Sequence, residues 1–541
     1  MKKMGVLLLM IFLIPLISAE QPWSFTANSS SIVTNVTFNI SLEKIGNSLR
    51  IPSLKFNTTL FPKTNFRQTV LSNIINLDKN ITDDWLYYEW MFPEESKTVD
   101  ILSFIETKDI RRKINTRVKF PLEITKELEQ YVKSTPLINS DDAGIRKIAS
   151  SLAEGEDDLY VVAFKLAVWV NENIKYEITN ETANEVKSAS WVLENKIGVC
   201  DDISGLFIAL CRSLKIPARY VSGIAYSNQG KGGFESHGWT EVYFPGMDWA
   251  PFDVVYGQMG YIDVSHIEFF KNSDANLSST TISYKADNAK ITLEAAKVKA
   301  TLKKSFGKVP LKILMEVTPF KEDVGFGSYN FIDLKLTNLK DYYQATEVIF
   351  DGSKGIQFID NPKRFVLLLP NETRHEYFII MHNLTFTDRF FFTHPLSVRT
   401  IDDYEASGVV VTKPNYQTFS LEIISDYVKL KTEERDAKSK EVTRDLKEEC
   451  TPEAFSTYLG YELKIPCNVE NNGNQNIEHL QLCIEQSCQG FELQIGEKKQ
   501  INLTKVFNET GQKNIIAELT GNNITKSQMI SIQVFPEPSL V

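Results

Sequence analysis

The sequence predicts an α+β protein in which a helix-containing domain is flanked by β domains. Residues 20–121 alternate polar and apolar side chains over short runs, a pattern typical of half-buried strands. Across 122–275, apolar residues recur at three- and four-residue spacing, which predicts helices, and strand-like runs follow them. From 290 to 427 the alternation returns, which indicates a second set of strands.

Length and composition indicate a globular protein of several domains. A chain of 541 residues is too long for one compact core and corresponds to roughly three or four domains. Apolar residues make up 43% of the chain and charged residues 24%, which is ordinary globular usage. The net charge of −10 leaves no basic excess for binding phosphates or anionic lipid headgroups, so nucleic acid is excluded as a partner.

Three further segments follow the helical region. The strands of 290–427 suggest a β-sandwich of about immunoglobulin size, here called the sandwich. Residues 428–450 are rich in both charge signs and poor in apolar side chains, which predicts a solvated helical linker; a coiled-coil partner site is the alternative. Residues 451–535 predict a last β domain.

The first 19 residues have the features of a secretory signal peptide. Two lysines precede an apolar run that is short for a spanning helix, and small residues precede polar Glu20. A retained membrane anchor is the alternative. We predict a secreted or cell-surface protein with no integral membrane anchor after cleavage and with possible association with the cell envelope. Twelve Asn-x-Ser/Thr sites fit an exported glycoprotein, although chance also generates many of them.

The most informative segment begins at Gly198. After it, Ile203, Leu206, Phe207 and Leu210 fall on one face of a helix, so Cys200 lies at the helix start. The unpaired N–H groups of a helix N-terminus stabilise a thiolate, and we expect the pKa of Cys200 to be lowered. Asp201 and Asp202 follow directly and are expected to offset part of that effect.

Two further residues can complete a catalytic site. His237 begins one strand-like run and Asp253 ends the next, with the turn residues Pro245 and Gly246 between them. An antiparallel hairpin would place His237 and Asp253 nearly opposite each other. A carboxylate fixes the imidazole tautomer, and the other ring nitrogen can serve a cysteine, so the three residues predict a Cys-His-Asp triad.

Taken together, four motifs in fixed order resemble the transglutaminase-like family of the papain fold. They are Gly198-Val199-Cys200, Ile216-Pro217-Ala218-Arg219, His237-Gly238-Trp239-Thr240-Glu241-Val242 and Trp249-Ala250-Pro251-Phe252-Asp253. The resemblance covers the region 122–275. It implies a papain-like core with a cysteine acyl-transfer site, in which Cys200 is the nucleophile, His237 the acid/base and Asp253 the residue that orients it.

A tetrahedral intermediate at this site needs two hydrogen-bond donors for its oxyanion. The backbone N–H of Cys200 can supply one. Trp169 and Trp191 are candidates for the second, and the alternative is that both are core residues.

The remaining cysteines predict disulfides rather than a metal site. Cys200 and Cys211 would be separated by about 16 Å on one helix, too far to bridge, so both are expected to be free. The last domain has four cysteines with three possible pairings, of which we favour Cys450–Cys467 and Cys483–Cys488. Paired metal-ligand spacing is absent from the sequence, and we predict neither a metal nor a cofactor.

The functional prediction is a secreted cysteine enzyme that cleaves or transfers peptide or glutamine amide acyl groups through a thioester, with a protein or peptide as substrate. Hydrolysis is favoured because no binding element for an amine acceptor is evident in the sequence. The alternative is a non-catalytic surface or adhesion protein in which a papain-like core serves as a binding module.

Overall fold

The structure is a computed structural model of the chain. It describes residues 23–537 except for 46–49, 78–79, 83, 183–184, 228–231, 275–278, 384–389 and 437–439. The predicted signal peptide at 1–19 lies outside the described residues. Within the described ranges, no helix has the length and apolar character needed to cross a membrane.

The first β domain consists of two sheets that enclose one apolar core. Alternating residues of its strands point into that core, among them Ile32, Phe38 and Phe56, all of which are buried. A short helix, Trp23–Thr26, precedes it. One sheet contains Ala27–Lys44, Gln68–Ile75, Lys97–Lys108, Ala289–Leu293 and Lys297–Lys308; the other contains Arg50–Thr58, Asn80–Ile81, Leu86–Met91 and Thr280–Asp287.

The boundaries predicted for this domain and for the sandwich differ from the structure. We predicted them at 20–121 and 290–427, but the chain returns to the first β domain at 280–308, where Val298 pairs with Val36. An alternating pattern identifies a strand and does not identify the sheet that it joins, since pairing across about 260 residues leaves no local signal.

The central domain combines helices with an antiparallel sheet. The sheet order is Gln258–Met259, Asp248–Asp253, Gly233–Phe244, Ala218–Ser227 and Ile267–Asn272. A small parallel pair joins Lys175–Tyr176 to Ile197–Gly198. The helices are Ala143–Ala153, Leu159–Asn173, Ala189–Asn195 and Cys200–Ser213, and a 3₁₀ turn lies at Glu129–Tyr131.

The helix Cys200–Ser213, here called the cysteine helix, lies at the centre of this domain. The sequence predicted one apolar face, which includes Leu206, Phe207 and Leu210, and all three are fully buried. The structure buries almost every residue of the helix, because the other helices pack on the sides that the sheet leaves open. The apolar spacing near 122–132 also predicted a helix, but only the 3₁₀ turn forms there, since no side chain of that segment is buried.

The sandwich consists of two sheets that face each other across a shared core of residues such as Leu334, Phe378 and Val348. Its identification as immunoglobulin-like remains a prediction. One sheet contains Ile313–Pro319, Tyr329–Asn338, Ile356–Phe358 and Thr373–His382; the other contains Asp323–Val324, Gln344–Asp351, Lys363–Leu368, Phe392–Thr400 and Glu405–Thr412.

The segment predicted as a helical linker at 428–450 is only partly helical. The helix runs over Leu421–Asp436, and Leu446–Cys450 is already a strand of the last β domain. The helix is also not fully solvated, because Ile424 is buried against Phe331 and Tyr377 of the sandwich. Packing of this apolar turn explains why the helix begins before the charged segment.

The last β domain also has two sheets, and it contains two disulfides. Cys450–Cys467 joins neighbouring strands, and Cys483–Cys488 closes a short hairpin, as we predicted. One sheet contains Leu446–Cys450, Glu462–Asn471 and Lys498–Val506; the other contains Ser456–Tyr458, Ile477–Ile484, Ser487–Leu493, Gly511–Gly521 and Ile524–Phe535.

Candidate active site

Cys200 is the first residue of the cysteine helix and is partly buried. The Asp202 carboxylate fixes the start of the helix by accepting the backbone N–H groups of Val199 at 3.0 Å and Lys187 at 2.7 Å. Gly198 is required before the cysteine, because a Cβ at this position would lie 2.8 Å from the Asp202 Cβ. The Gly-x-Cys motif and Asp202, the second Asp after the cysteine, therefore form one capping structure.

His237 and Asp253 lie on adjacent antiparallel strands and form a hydrogen bond. His237 Nε2 is 2.7 Å from Asp253 Oδ2, and both side chains are buried. The register pairs Thr240 with Phe252, so the two residues meet diagonally rather than directly opposite each other. The Asp253 carboxylate is fixed further by Tyr256, whose backbone N–H donates to Asp253 Oδ1 at 3.1 Å.

The protonation of this pair follows from the charge of Asp253. Burial alone would raise the pKa of that carboxyl, but His237 and His266 outweigh burial and hold its pKa well below the usual range. An ionised carboxylate only accepts hydrogen bonds, so Nε2 of His237 must donate. The proton of a neutral His237 therefore lies on Nε2, and Nδ1 is left as the basic nitrogen.

The cysteine helix contacts the strand of His237 at Gly238. Ser204 Oγ donates to the Gly238 carbonyl at 3.1 Å, and the Gly238 backbone lies close enough to Cys200 to lower the pKa of its thiol. A Cβ at Gly238 would overlap the Tyr220 hydroxyl and would lie 2.6 Å from Asp201 Oδ1. Glycine is thus required at this position for the close approach that brings the sulfur beside the residue that follows His237.

The expectation of a lowered thiol pKa is wrong. Burial and the neighbouring Asp201 carboxylate raise the pKa of Cys200 well above its usual value, and they outweigh the Gly238 N–H that lowers it. The sulfur lies 3.6 Å from Asp201 Oδ1, which also accepts from the Tyr220 hydroxyl at 2.5 Å. The resting group is a neutral thiol that donates to Asp201, because burial and this adjacent negative charge together outweigh the field of the helix N-terminus.

Trp169 and Trp191 pack on the outside of the helical core, with Lys196 Nζ 4.7 Å from the ring of the first and Lys187 Nζ 5.6 Å from the ring of the second. No described contact joins either indole to Cys200, His237 or Asp253. Their part in an oxyanion hole remains a prediction.

A cavity of about 260 Å³ opens beside His237. Tyr176 and Tyr256 supply aromatic walls, and the Tyr256 ring lies 4.8 Å from the imidazole of His237. Glu235 places a carboxylate at the rim. The cavity can therefore hold an uncharged chain segment against the rings and a basic group near Glu235.

Two other residues of the sequence motifs have a structural role. Arg219 donates to Glu241 through Nε at 2.8 Å and Nη2 at 2.6 Å, and its guanidinium stacks 4.0 Å above the ring of Trp249. The pair joins neighbouring strands beneath the site. The arginine of the Ile-Pro-Ala-Arg motif and the glutamate of the His-x-Trp-x-Glu motif thus stabilise the sheet that carries His237 and Asp253.

The sequence analysis missed a second buried histidine at the site. His266 Nε2 lies 2.9 Å from Asp253 Oδ2, the oxygen that also accepts from His237. Although burial by itself lowers the pKa of His266, Asp263 and Asp253 raise it to about 9. The only sequence signal was a histidine 13 residues after Asp253, and a loop of this length gives no periodicity from which a contact could be predicted.

His237, Asp253 and His266 also form a group of possible metal ligands within the described residues, with donor atoms within 4.8 Å of one another. Both short nitrogen–oxygen distances are those of hydrogen bonds, and the carboxylate is satisfied by two imidazole protons. The arrangement is therefore accounted for by protons and gives no support for a metal.

Comparisons with known proteins identify the type of domain that carries this site. Residues 146–254 match the family model described as the transglutaminase-like superfamily. The chain is 27% identical over 154 residues to the uncharacterized protein YebA of Bacillus subtilis, covering 25% of this chain and 21% of that protein. It is 24% identical over 196 residues to an uncharacterized protein of Haemophilus influenzae, covering 31% of this chain and 52% of the relative. The chain thus spans about a fifth and about half of these relatives.

Two solved structures are also similar. One is described as a "Putative Cysteine Protease" from Cytophaga hutchinsonii, with 17% identity, TM-score 0.39, and coverage of 53% of this chain and 95% of that one. The other is red sea bream transglutaminase, with 9% identity, TM-score 0.21, and coverage of 94% and 95%. Both TM-scores are low, so the assignment depends on the family match. On that match, the chain contains a transglutaminase-like core.

Proposed function

We propose that the protein is a secreted cysteine enzyme that cleaves or transfers the acyl group of peptide or glutamine amides, with Cys200, His237 and Asp253 as its triad. One observation carries the proposal: His237 donates from Nε2 to Asp253, and the next residue, Gly238, is held against the cysteine helix by the Ser204 hydroxyl. In this proposal Nδ1 of His237, the ring nitrogen that Asp253 leaves free, is the base that serves the thiol.

In the first step, His237 Nδ1 takes the Cys200 proton as the sulfur bonds to the amide carbonyl carbon. The carbonyl electron pair moves to oxygen, and backbone N–H groups at the helix start stabilise the oxyanion. Asp253 stabilises the imidazolium that forms. Because the resting thiol is neutral, the proton transfer must accompany attack, and His237 is required for it.

In the second step, the tetrahedral intermediate collapses and the carbon–nitrogen bond breaks. The imidazolium gives its proton to the departing amine or ammonia, which leaves a thioester on Cys200. Water then attacks the thioester carbon, His237 accepts a proton from the water, and the carboxylic acid departs as the thiol regains a proton. An amine in place of water would give a transferred amide.

Hydrolysis is the favoured outcome in this proposal. The cavity beside His237 holds about 260 Å³, which is enough for a short side chain, and its described lining residues form no second compartment for an acceptor protein. Water competes well unless an acceptor is bound and water is excluded.

Export is part of the proposal. The two disulfides of the last β domain are the kind of cross-link that persists in oxidising compartments, which supports a secreted or cell-surface location. A polypeptide outside the cell, or within its envelope, would then be the substrate.

The neutral thiol favours a second candidate function, that of a non-catalytic binding module. A sulfur that donates to Asp201 and has a raised pKa is also what a binding module derived from an enzyme would retain. Such a module would use the cavity to bind a peptide without turning it over.

Labelling with iodoacetamide distinguishes the cysteine enzyme from the non-catalytic binding module. The described free cysteines are Cys200, partly buried, and Cys211, fully buried, so Cys211→Ala is a matched control. We expect one label on native wild-type protein and on Cys211→Ala, and none on Cys200→Ala. A glutamine peptide offered with a labelled primary amine then reports deamidated and conjugated products. Neither product, together with an unlabelled Cys200, would support the binding module instead.

A further inference from the structure

Asp253 accepts hydrogen bonds from two histidines rather than one. Its Oδ2 lies 2.7 Å from His237 Nε2 and 2.9 Å from His266 Nε2, and the two imidazole rings are 5.6 Å apart. His266 is completely buried and makes no contact with the cavity. A triad in which the third residue serves one imidazole does not need this second donor.

We propose that His266 is a positioning residue of the active site: by donating Nε2–H to the oxygen that accepts from His237, it fixes the Asp253 carboxylate and thereby the tautomer of His237. This inference rests on the proposed function for its significance and on the observed hydrogen bonds for its geometry. His266 acts through Asp253 and does not touch the substrate.

The hydrogen bond from Nε2 to Asp253 orients the His266 ring, since Nδ1 makes no hydrogen bond among the described residues. His266 Nδ1 lies 3.3 Å from Asp263 Oδ1, and Asp263 is itself held by Gln258 Nε2 at 2.8 Å and by Ser265 Oγ at 2.6 Å. From the first β domain, the buried Arg67 donates to the carbonyl groups of Asp263 and His266. Every ionisable neighbour in these contacts is thus fixed by at least one hydrogen bond.

This arrangement determines where protons can lie. Because Asp253 is ionised, Nε2 of both rings must carry hydrogen, and the negative charge of Asp263 beside Nδ1 favours a protonated His266. Tyr256 N–H already holds Oδ1 of Asp253, and two imidazole donors on Oδ2 leave the carboxylate less freedom to rotate away from His237. Without the hydrogen bond from His266, Asp253 could reorient. The proton of His237 would then no longer be held on Nε2, and Nδ1 would not be kept free as the base.

Two substitutions separate the hydrogen bond from the filling of space. His266→Gln keeps an N–H near the Nε2 position, whereas His266→Asn has the same chemistry on a shorter side chain that does not reach Asp253. His375→Gln is the matched control, because His375 also pairs with an aspartate, Asp333 at 2.8 Å, but on the sandwich. His237→Ala gives the alkylation rate of the Cys200 thiol in the absence of its base.

The probe is iodoacetamide alkylation of Cys200 at pH 7 in the full chain. We expect His266→Asn to lower the rate by about 10-fold, toward that of His237→Ala, and His266→Gln to stay within about 3-fold of wild type. His375→Gln should not change it. Equal rates for His266→Asn and wild type, in proteins with the same melting temperature, would overturn the proposal.

A spectrum of the wild-type protein tests the same point without any variant that has to fold. The chain has six histidines, so histidine-selective ¹⁵N labelling gives a spectrum that can be assigned. We expect protons on Nε2 of both His237 and His266; a His266 protonated only on Nδ1 would overturn the proposal. Both tests are independent of turnover, so a failure of the proposed acyl transfer would be recognised separately by the absence of product from the glutamine peptide.

Discussion

Replacing Asp201 by asparagine removes a negative charge that lies 3.6 Å from the Cys200 sulfur and keeps an oxygen that can accept from Tyr220. At this distance, Coulomb's law gives about 1 kcal/mol in water and about 5 kcal/mol at an effective dielectric constant of 20. These limits correspond to a fall of roughly one to three units in the pKa of the thiol.

The rate change is smaller than the change in thiolate population. Each unit by which the pKa falls gives about tenfold more thiolate at pH 7, but the nucleophilicity of the sulfur decreases as its pKa decreases, so the net gain is about threefold per unit. We therefore expect Asp201→Asn to increase iodoacetamide alkylation of Cys200 at pH 7 by roughly 3- to 30-fold.

The assay is the alkylation rate of Asp201→Asn and wild type between pH 5 and 10, with labelled peptides identified by mass spectrometry. Glu235→Gln is the control, because it removes a carboxylate from the rim of the cavity beside His237, and Glu235 makes no described hydrogen bond to the Cys200 sulfur. An unchanged or upward-shifted alkylation profile in a folded Asp201→Asn protein would refute the reasoning.

Three further outcomes follow from the structure. Asp253→Asn should reduce acyl transfer by about four orders of magnitude without unfolding, because an amide can impose the wrong tautomer on His237; turnover of an active ester and the melting temperature check this. Gly238→Ala should cost about 1–3 kcal/mol in urea unfolding and reduce Cys200 labelling, because its Cβ would overlap the Tyr220 hydroxyl. Burial lowers the pKa of His382 to about 4 in the folded protein. As the pH falls below about 6.5, the unfolded chain therefore takes up a proton at His382 before the folded chain does. We expect the contribution of neutral His382 to the free energy of unfolding to be intact above about pH 6.5 and to fall by about 3 kcal/mol on acidification to pH 4. Urea unfolding at the two pH values measures this loss, which His382→Gln should remove.

Local patterns in the sequence were sufficient for much of the central domain. The three- and four-residue spacing after Gly198 predicted a helix, and the structure begins that helix at Cys200. Turn residues at 245–246 predicted the hairpin whose strands carry His237 and Asp253, although the register makes their contact diagonal. The disulfide Cys483–Cys488 followed from a short hairpin in the same way. Each of these features is encoded within about 20 residues.

Features that depend on distant contacts could not be predicted. His266 reaches Asp253 through a loop without periodicity, and Arg67 comes from another domain, 196 residues before the Asp263 carbonyl that it binds. The raised pKa of Cys200 comes from burial and then from Asp201, whose side chain is oriented by a hydrogen bond from the Tyr220 hydroxyl on a neighbouring strand. A sequence reports the charge of Asp201 and does not report its distance from the sulfur.

The central claim is that Cys200, with His237 as its base, forms a covalent acyl-enzyme. The most direct measurement is the reaction of the full chain with p-nitrophenyl acetate, followed by rapid quenching and mass spectrometry of the Cys200 peptide. The claim predicts a burst of about one nitrophenolate per chain and an acetyl group on Cys200, with no burst from Cys200→Ala and a strongly slowed burst from His237→Ala. A wild-type protein that releases nitrophenolate without a burst and leaves Cys200 unmodified would contradict it.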